Sequence, residues 1–316
     1  MAILFKYLSS KRDFFSDGFI RLTQLSALND PFEAQFCYKG LDRLVQHFDD
    51  PMTYNIHEPC TYQEYLNVNK SKIGIISFSE SKENLLMWAH YANEHKGFVA
   101  GVYFDEYYQY DQTIFENLFT SKVIQSTNLY GGSFFDGRFH KVNYRKSYRY
   151  SNDMFDHDYG NISMQGGDRM LYEIFLGKSD EWIYEKEHRI ILRLEQADRV
   201  LIKDITLLNN LKAFDDQSFI SFDSNTEYYV IDLYKIEDDN SRVFLASELA
   251  KFSYDPTVIF QMKIKRGSIF QCILGLKSSY RLNDILDDIG YSIEVYEAVF
   301  SPNSYTLNFK EIFTRF

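Results

Sequence analysis

Residues 75–104 are the stretch that most constrains what this chain can fold into. If residues 75–79 form a strand, Ser77 and Ser79 share one face and Phe78 lies on the other. At the far end, Phe98 to Phe104 is a mostly apolar run of the length typical of a buried strand. The hydrophobic period changes between these two segments. The stretch is therefore predicted to form a strand, a helix and a second strand.

The predicted helix has one apolar side. Its apolar residues recur at the spacing of a side that faces a protein core, and they are Leu85, Trp88, Ala89 and Ala92. Met87, His90 and Glu94 then point away from that side, toward either water or a cleft. Gly97 follows the last predicted turn and is a residue type that commonly ends a helix. We therefore predict that Trp88 is buried and that His90 faces a cleft.

Composition excludes several classes of protein. The chain has 316 residues, 45% of them hydrophobic, which is enough for a sizeable core. A formal net charge of −11 argues against a protein that coats duplex DNA, because such binding depends largely on neutralising phosphates. Cys37, Cys60 and Cys272 are too few and too widely spaced for a disulfide framework or a zinc knuckle. Without a signal-peptide pattern or the ~18 apolar residues that span a bilayer, a cytoplasmic protein with no membrane association is expected.

Strands and helices mix along the chain without regular βαβ alternation. This pattern favours an α+β fold with a mixed or antiparallel split sheet and helices on its faces. We expect a main domain over residues 1–203 and an acidic insertion or accessory layer over residues 204–256. C-terminal strands and a helix over residues 257–316 are expected to complete the domain. A further helix is predicted over Asp105 to Phe119, and residues 126–165 are predicted to be rich in loops.

A basic, tyrosine-rich stretch at residues 141–150 stands out in this acidic chain. Tyrosines interleave with its cations, which are Lys141, Arg145, Lys146 and Arg149. Such a segment can hold a nucleic-acid backbone while its rings stack on bases, or it can bind the phosphates of a small nucleotide. A solvated strand and loop without a ligand is the simpler interpretation, and the sequence leaves these alternatives open.

Glu185 and Glu187 are the acidic residues that most suggest chemistry. On a strand predicted from about Glu185 onward they share one face, roughly 6–7 Å apart, and Arg189 continues that face. Two carboxylates placed in this way can stabilise a developing cation or take a proton. An exposed, charged strand face is the alternative interpretation.

Other polar combinations do not match a known type of site. Gly177, Lys178 and Ser179 resemble the end of a phosphate-binding loop, but Tyr172 stands where that loop needs a glycine. His90 and His95 would lie about 140° apart around a helix and are poorly placed to share a metal ion. We therefore predict no metal site.

A series of motifs resembles a bacterial family catalogued as domain of unknown function 2971. The motifs are Leu4-Phe5-Lys6-Tyr7, Leu28-Asn29-Asp30-Pro31-Phe32-Glu33, Ser77-Phe78-Ser79-Glu80, Met87-Trp88-Ala89-His90-Tyr91 with His95-Lys96-Gly97, Trp182-Ile183-Tyr184-Glu185-Lys186-Glu187-His188-Arg189 and Ile273-Leu274-Gly275. Together they extend over nearly the whole chain, except residues 204–256. The family has no established activity, so this resemblance implies no particular chemistry.

A second resemblance does imply chemistry. The order of Lys6, Ser77-x-Ser79 and Glu185-x-Glu187 is similar to the three-part signature of ADP-ribosyltransferases. The resemblance implies that Lys6 holds the phosphate or ribose of NAD and that the two serines brace the nicotinamide side. It also implies that Glu187 binds a ribose hydroxyl as the glycosidic bond breaks, while Glu185 helps the acceptor to attack. Because the transition state is an oxocarbenium ion, a fixed carboxylate would stabilise it electrostatically.

The chain departs from that signature at Lys6, where Arg or His is usual, and at Phe78, which separates the serines. The resemblance implies an ADP-ribosyltransferase-like fold with a cleft near residues 77–95. We predict an NAD-using enzyme of this type, acting as a toxin or phage-defence effector, with Glu187 and Glu185 as its catalytic residues. The residues expected to contact the NAD substrate are Lys6, Tyr7, Asn29, Asp30, Ser77, Ser79, His90 and Tyr91.

Two other functions stay open at this point. One is a sensor that binds a nucleotide or nucleic acid through the basic stretch without catalysis. The other is a nuclease, although its metal-binding spacing is not recognisable. The sequence does not decide whether the acceptor is a nucleic acid or a protein, whether the protein is catalytic, or how many copies assemble.

Overall fold

The computed structural model describes residues 2–9, 14–15, 18–47, 61–104, 118–120, 134–135, 137–149, 164–208, 211, 214, 217–286 and 293–315. Within these residues, one large and mostly antiparallel sheet of thirteen strands carries helices packed against it. This arrangement confirms the mixed α+β class. Residues 105–117 of the helix predicted over Asp105 to Phe119 and much of the loop-rich region lie outside the described residues, as does Tyr150 of the basic stretch.

The strands are, in chain order, β1 Ala2–Leu8, β2 Phe19–Gln24, β3 Ile73–Ser79, β4 Phe98–Phe104, β5 Phe139–Lys141, β6 Asn143–Arg145, β7 Gly177–Ser179, β8 Glu187–Arg193, β9 Arg199–Ile202, β10 Ile220–Asp223, β11 Tyr228–Ile231, β12 Ile259–Lys263, β13 Ile269–Leu274, β14 Ile293–Phe300 and β15 Leu307–Arg315. The helices in the described residues are α1 Tyr38–His47, α2 Tyr62–Asn69, α3 Leu85–Tyr91, α4 Met164–Leu176, α5 Asp239–Ala250 and α6 Leu282–Leu286. None of these helices is both long enough and apolar enough to cross a membrane.

The main path of the sheet runs in the order β10-β11-β9-β12-β2-β3-β1-β4-β13-β14-β15. Two strands lie off this path, because β8 pairs with β3 and β5 pairs with β8. Most neighbours are antiparallel, whereas β13 and β14 run parallel. β6 and β7 form a separate, parallel pair beside the large sheet.

The sheet divides at β3. β8 pairs with β3 from Ile73 to Ser79 and so occupies one edge of that strand. On the other edge, β2 pairs with the beginning of β3, where Thr23 faces Ile75. β1 pairs with the end of β3, where Phe5 faces Ser79. β2 and β1 therefore share an edge of β3 and separate along it.

The two faces of β3 and β8 meet different parts of the protein. On one face, Phe78 belongs to the largest apolar core. On the other face, Ile75 and Ile191 pack in a second core with buried side chains of α1, α2 and α4. Because side chains alternate along a strand, Ser77 and Arg189 lie on this second face. This second face is therefore apolar where the helices cover it, at Ile75 and Ile191, and becomes polar at Ser77 and Arg189.

Helix α3 is turned relative to the sequence prediction. Trp88 is completely buried (0% exposed), as predicted, whereas Leu85 is 39% exposed although the prediction placed it in the buried stripe. The Asn84 side chain accepts hydrogen bonds from the N–H groups of Leu86 and Met87 and so fixes where the helix begins. From this start, Met87, Trp88 and the following Ala92 are the buried residues.

Helix α3 is also shorter than predicted, because it ends at Tyr91. Asn93, Glu94 and His95 have positive φ angles of 48°, 54° and 68°, so Glu94 lies beyond the helix rather than on it. After this turn the chain passes close to β1 at Gly97. A Cβ atom on Gly97 would lie 2.1 Å from the carbonyl oxygen of Leu8.

The segments outside residues 1–203 join the same sheet. Residues 204–256, the predicted insertion or accessory layer, contribute β10, β11 and α5, and β11 pairs with β9. Within residues 257–316, β12 pairs with β2 and β13 pairs with β4. The last strand, β15, was not predicted from the sequence and pairs with β14.

Candidate functional site

A cleft opens where β1 and β2 separate along β3. Its empty volume is ≈ 880 Å³, including space open to solvent, which suits a small-molecule ligand. The sequence-predicted residues that line it are Lys6, Tyr7, Asn29, Asp30, Ser77, Ser79, Tyr91, Glu185 and Glu187. His90 is the exception: it is exposed and lies outside the lining, because the turned helix presents Met87 and Tyr91 to the cleft instead.

Glu185 and Glu187 reach the cleft from two different elements. The prediction that both lie on one strand is wrong for Glu185, which ends a 3-10 turn spanning Asp180–Glu185. Lys186 follows with a left-handed φ of 46°, and Glu187 begins β8. The Ser79 hydroxyl donates a hydrogen bond to the carbonyl oxygen of Glu185 at 2.6 Å, which ties the turn to β3.

Arg189 is a buried cation that binds two carboxylates at once. Its Nε and Nη2 atoms donate to Oε1 and Oε2 of Glu187 at 2.7 and 3.0 Å. Its Nη1 and Nη2 atoms donate to Oε2 and Oε1 of Glu33 at 2.8 and 2.6 Å. Such two-point contacts fix the orientation as well as the position of both carboxylates.

Lys178 completes this group from β7. Its Nζ atom donates to Oε2 of Glu185 at 2.5 Å and to Oε2 of Glu187 at 3.0 Å, and it lies 3.6 Å from Oε1 of Glu33. All five side chains are buried. We call this group the ion cluster: Glu33, Lys178, Glu185, Glu187 and Arg189. Each of its three carboxylates contacts at least one of the two cations, which offsets part of the cost of burying charge.

The ion cluster moves the pKa values of the two glutamates in opposite directions. Burial alone would raise the pKa of Glu187, but attraction to Arg189 and Lys178, with hydrogen bonds from Arg189 and Ser77, lowers it far below the usual range. Burial raises the pKa of Glu185, and the charge of Glu187 adds to this rise against the attraction of Lys178. Glu187 therefore stays ionised, whereas Glu185 is the better proton acceptor.

Glu187 has little capacity for another partner. A carboxylate offers about four acceptor positions. Arg189 uses two of them, Lys178 uses one, and the Ser77 side chain also forms a hydrogen bond to this group. Ser77 is the uncharged member of this set, so it is the partner that a ligand hydroxyl would displace at least cost.

Two cations line the cleft without a carboxylate partner among the described residues. Lys6 donates from Nζ to the carbonyl oxygen of Ser77 at 2.9 Å, at the point where the sheet divides. Arg21 donates to the carbonyl oxygen of Pro256 at 3.3 Å, while its Nε atom is buried without a partner. Burial lowers the pKa of Lys6 to about 8 and also lowers the pKa of Arg21. The cleft thus contains positive charge that an anionic ligand would stabilise.

Asp30 and Tyr91 add directional hydrogen-bonding groups. The Oδ1 atom of Asp30 accepts a hydrogen bond from the N–H of Phe32 at 2.9 Å, whereas its Oδ2 atom is buried without a partner. The Tyr91 hydroxyl donates to Oε1 of Glu185 at 2.7 Å. The cleft therefore offers a free acceptor at Asp30 and a positioned hydroxyl beside Glu185.

Sequence reasoning missed several lining residues, among them Arg21, Glu33, Lys178 and Trp182. A signal existed for Arg21, because it is the charged residue of a short strand that also contains Phe19, Ile20 and Leu22. Lys178 was examined only as part of a phosphate-binding loop. Its contacts with Glu185 and Glu187 depend on where the β6–β7 pair holds it, which residue spacing does not reveal.

The cations of the basic stretch have different surroundings. Lys141 pairs with Glu80 at 2.8 Å, and Arg149 pairs with Glu173 at 2.7 Å. Arg145 and Lys146 are exposed instead. Because two of the four cations form ion pairs, the four do not form one continuous surface of unpaired charge.

Tyr144 of the basic stretch contacts the backbone of Glu187, which lines the cleft. Its hydroxyl accepts a hydrogen bond from the backbone N–H of Glu187 at 2.8 Å. This contact holds the first residue of β8 in place.

Among the described residues, no group of three or more His, Cys, Asp or Glu side chains could hold a metal ion.

Comparison with known proteins gives one family match. The family model described as protein of unknown function (DUF2971) matches residues 87–190. The matched segment is about one third of the chain, runs from α3 into β8, and includes Glu185, Glu187 and Arg189. The match confirms the resemblance to this family that the sequence motifs indicated. No curated protein and no solved structure matches the chain.

Proposed function

We propose that the cleft binds NAD and that the protein is an ADP-ribosyltransferase-like enzyme. The observation that carries this proposal is the convergence of Lys6, Ser77 and Glu187 in one cleft. These residues come from β1, β3 and β8, and β3 pairs with each of the other two strands. The proposal therefore includes an ADP-ribosyltransferase-like arrangement of these three strands.

The reaction would break the bond between the nicotinamide nitrogen and C1′ of the adjoining ribose. The bonding electron pair leaves with nicotinamide, which becomes neutral, and the positive charge passes to the ribose as an oxocarbenium ion. A carboxylate at Glu187, ionised and fixed by Arg189 and Lys178, stabilises that charge without having to reorganise. A hydroxyl of the ribose reaches Glu187 by replacing the hydrogen bond from Ser77.

The second glutamate would serve the incoming nucleophile. An acceptor hydroxyl attacks C1′, and the proton it loses passes to Glu185, whereas attacking water can release its proton directly to solvent. Burial raises the pKa of Glu185, which makes this carboxylate the more effective base of the two. The proton is then released to solvent, and every charge created in the reaction is balanced.

The unpaired polar groups of the cleft support the choice of a dinucleotide. Lys6 and Arg21 can bind the two linked phosphates, because each is a partly buried cation without a carboxylate partner among the described residues. The buried Oδ2 atom of Asp30 can accept a hydrogen bond from a ribose hydroxyl. A ligand that carries both anionic oxygens and hydroxyl groups would satisfy all three side chains.

The test is release of nicotinamide from NAD, with and without cell extract as a source of acceptors. Glu187→Gln keeps the shape of the side chain but removes its charge, and should lower turnover by roughly 10²-fold or more. Glu185→Gln should reduce transfer to an acceptor more than it reduces hydrolysis. Glu181→Gln is the matched control, because Glu181 is exposed on the same turn and should leave both rates unchanged.

Thermal unfolding of each variant, and its affinity for NAD, separate loss of chemistry from loss of structure. No nicotinamide release by the parent protein above background, in either condition, would contradict the proposal. Equal rates for the parent and the Glu187→Gln variant would remove Glu187 from the mechanism.

A second candidate is a nucleotide sensor without catalysis. The observation that favours it is the saturation of Glu187 by Arg189, Lys178 and Ser77. In this case NAD or another nucleotide would bind through Lys6 and Arg21, and Glu187 would hold the cleft open as part of the ion cluster. Tight binding of NAD with no release of nicotinamide would select this candidate.

A further inference from the structure

A second cavity lies beside the cleft, and Lys178 contributes to the walls of both. Its empty volume is ≈ 1020 Å³, including space open to solvent. We call it the basic groove and define it by Phe32, Arg145, Lys146, Tyr148 and Lys178, which are among its lining residues. Lys178 lies on β7, which pairs with β6, and Arg145 of β6 also lines the groove.

The charge of the basic groove is opposite to that of the protein as a whole. Among the described residues that line it, none is Asp or Glu, although the chain carries a formal net charge of −11. Arg145 and Lys146 are exposed and have no carboxylate partner among the described residues. A local excess of positive charge in an acidic protein indicates a polyanionic partner.

Two exposed aromatic rings distinguish between polyanions. Phe32 is 60% exposed and Tyr148 is 44% exposed, and both line the basic groove beside the cations. The hydrogen bond from the Phe32 N–H to Asp30 Oδ1 holds the backbone of the turn that presents Phe32. Exposed rings beside cations are typical of sites where unpaired bases stack and phosphates are neutralised. An acidic peptide would use the cations but would leave the rings without a role.

We propose that the basic groove binds single-stranded nucleic acid. Lys178 connects this site with the cleft, because its Nζ atom contacts Glu185 while its strand lines the groove. If the proposed function is correct, a bound strand is also the acceptor of ADP-ribose. A nucleophilic oxygen or nitrogen of that strand then forms the new bond to C1′, nicotinamide leaves with the electron pair of the old bond, and Glu185 takes the displaced proton.

Binding is measured by fluorescence anisotropy with labelled single-stranded DNA and RNA of mixed sequence, over a series of salt concentrations. The double variant Arg145→Ala/Lys146→Ala should bind more weakly than the parent protein. The slope of log K against log salt should become shallower by about 1.4, since each phosphate contact to a single strand contributes ~0.7. Phe32→Ala should weaken binding roughly tenfold while leaving that slope unchanged, because stacking involves no counterion release.

The matched control is Lys265→Ala/Lys277→Ala, which removes the same charge from two exposed lysines that do not line the groove. This control should bind like the parent protein. Equal weakening by the control, no salt-dependent binding by the parent, or equally tight binding of duplex DNA would each overturn the proposal. Stronger competition by an acidic peptide than by unlabelled oligonucleotide would overturn it as well.

Nicotinamide release without nucleic acid keeps this inference separable from the proposed function. The Arg145→Ala/Lys146→Ala variant should hydrolyse NAD at the parent rate, because neither residue lines the cleft. A protein that cleaves NAD but binds no oligonucleotide would refute the groove alone. Binding at the groove by a protein that leaves NAD intact would refute the enzymatic function alone.

Discussion

Lys6 should make the proposed binding of NAD in the cleft depend on pH. Burial lowers its pKa from the ordinary value of 10.5 to about 8; the charge of Glu187 opposes this shift and that of Arg21 adds to it. Below about pH 8 the side chain is a cation. As the pH rises through that value it loses its proton, and the cleft loses one of the two cations proposed to bind phosphate.

The affinity of the protein for NAD should therefore be nearly constant below about pH 7 and should fall as the pH rises above about 8. The fall ends at the pKa of Lys6 in the complex, which a bound phosphate raises. Calorimetric titrations across this range measure the effect. Lys6→Arg should give a flat profile, because Arg does not titrate there. A flat profile in the parent protein would mean that Lys6 does not contact the ligand.

Sequence reasoning found the site residues that a short motif contains and missed those that only the sheet brings together. Lys6, Ser79 and Glu187 were predicted, and all three line the cleft. Arg21 was missed, since its nearness to Lys6 depends on β1 and β2 sharing an edge of β3. The geometry of Glu185 was predicted wrongly, because no residue pattern indicated the left-handed turn at Lys186.

Helix α3 forms one wall of the cleft, and Trp88 is its most deeply buried side chain. Trp88 is fully buried, packs edge-on against Tyr7 at a centroid distance of 5.5 Å, and donates from Nε1 to the carbonyl oxygen of Lys82 at 2.8 Å. Trp88→Ala should lower the free energy of unfolding by roughly 3–5 kcal/mol, measured by denaturant titration. The loss combines a cavity with an unsatisfied carbonyl oxygen.

Leu85→Ala and His90→Ala are the controls on the same helix. Both residues are exposed, so each change should alter the free energy of unfolding by no more than about 0.5 kcal/mol. A Trp88→Ala protein as stable as these controls would contradict the packing of α3. A large loss in the Leu85→Ala protein would restore the buried stripe predicted from the sequence.

Strands were easier to predict than the orientation of helices. β4 appears where its apolar run placed it, at Phe98–Phe104. The spacing of apolar residues predicted the wrong buried side for α3. The Asn84 cap sets where the helix begins, and the left-handed residues after Tyr91 set where it ends. β15 was missed, since its alternation includes charged residues on an exposed edge of the sheet.

The C-terminal part of the molecule is bound to the central unit by close backbone contacts at Gly275. Its N–H donates to the carbonyl oxygen of Gly97 at 2.9 Å, and the N–H of Lys277 donates to that of His95 at the same distance. A Cβ atom at Gly275 would lie 2.2 Å from the carbonyl oxygen of His95. The backbone of one segment would have to move to admit any side chain at this position.

Gly275→Ala should therefore destabilise the whole protein by at least about 1–3 kcal/mol, observed as a lower denaturant midpoint. Gly267→Ala is the matched control, because a Cβ atom there would meet no atom within 4 Å. Similar midpoints for the two variants would show that the contact between the two segments is looser than these distances indicate.

At the scale of the whole molecule, the α+β class followed from the mixture of strands and helices, whereas the order of the strands did not. β2 pairs with β12 and β4 pairs with β13, which joins residues from the first and last thirds of the chain. Pairings of this kind depend on which edges remain open after nearer strands have paired. Hydrophobic periodicity describes each strand separately and contains no information about its neighbours.

Because the sheet divides at β3, the cleft is assembled from segments that are far apart in the sequence. The hydrogen bonds between Lys6 and Ser77 and between Ser79 and Glu185 join residues 71 and 106 positions apart, and Arg189 binds Glu33 across 156 positions. Contacts of such separation form slowly, since long loops must close before they are made. During synthesis, β1, β2 and β3 leave the ribosome well before β8. A partly made chain therefore carries Lys6 and the two serines without Glu185 and Glu187, and the cleft cannot be complete before synthesis has passed Arg189.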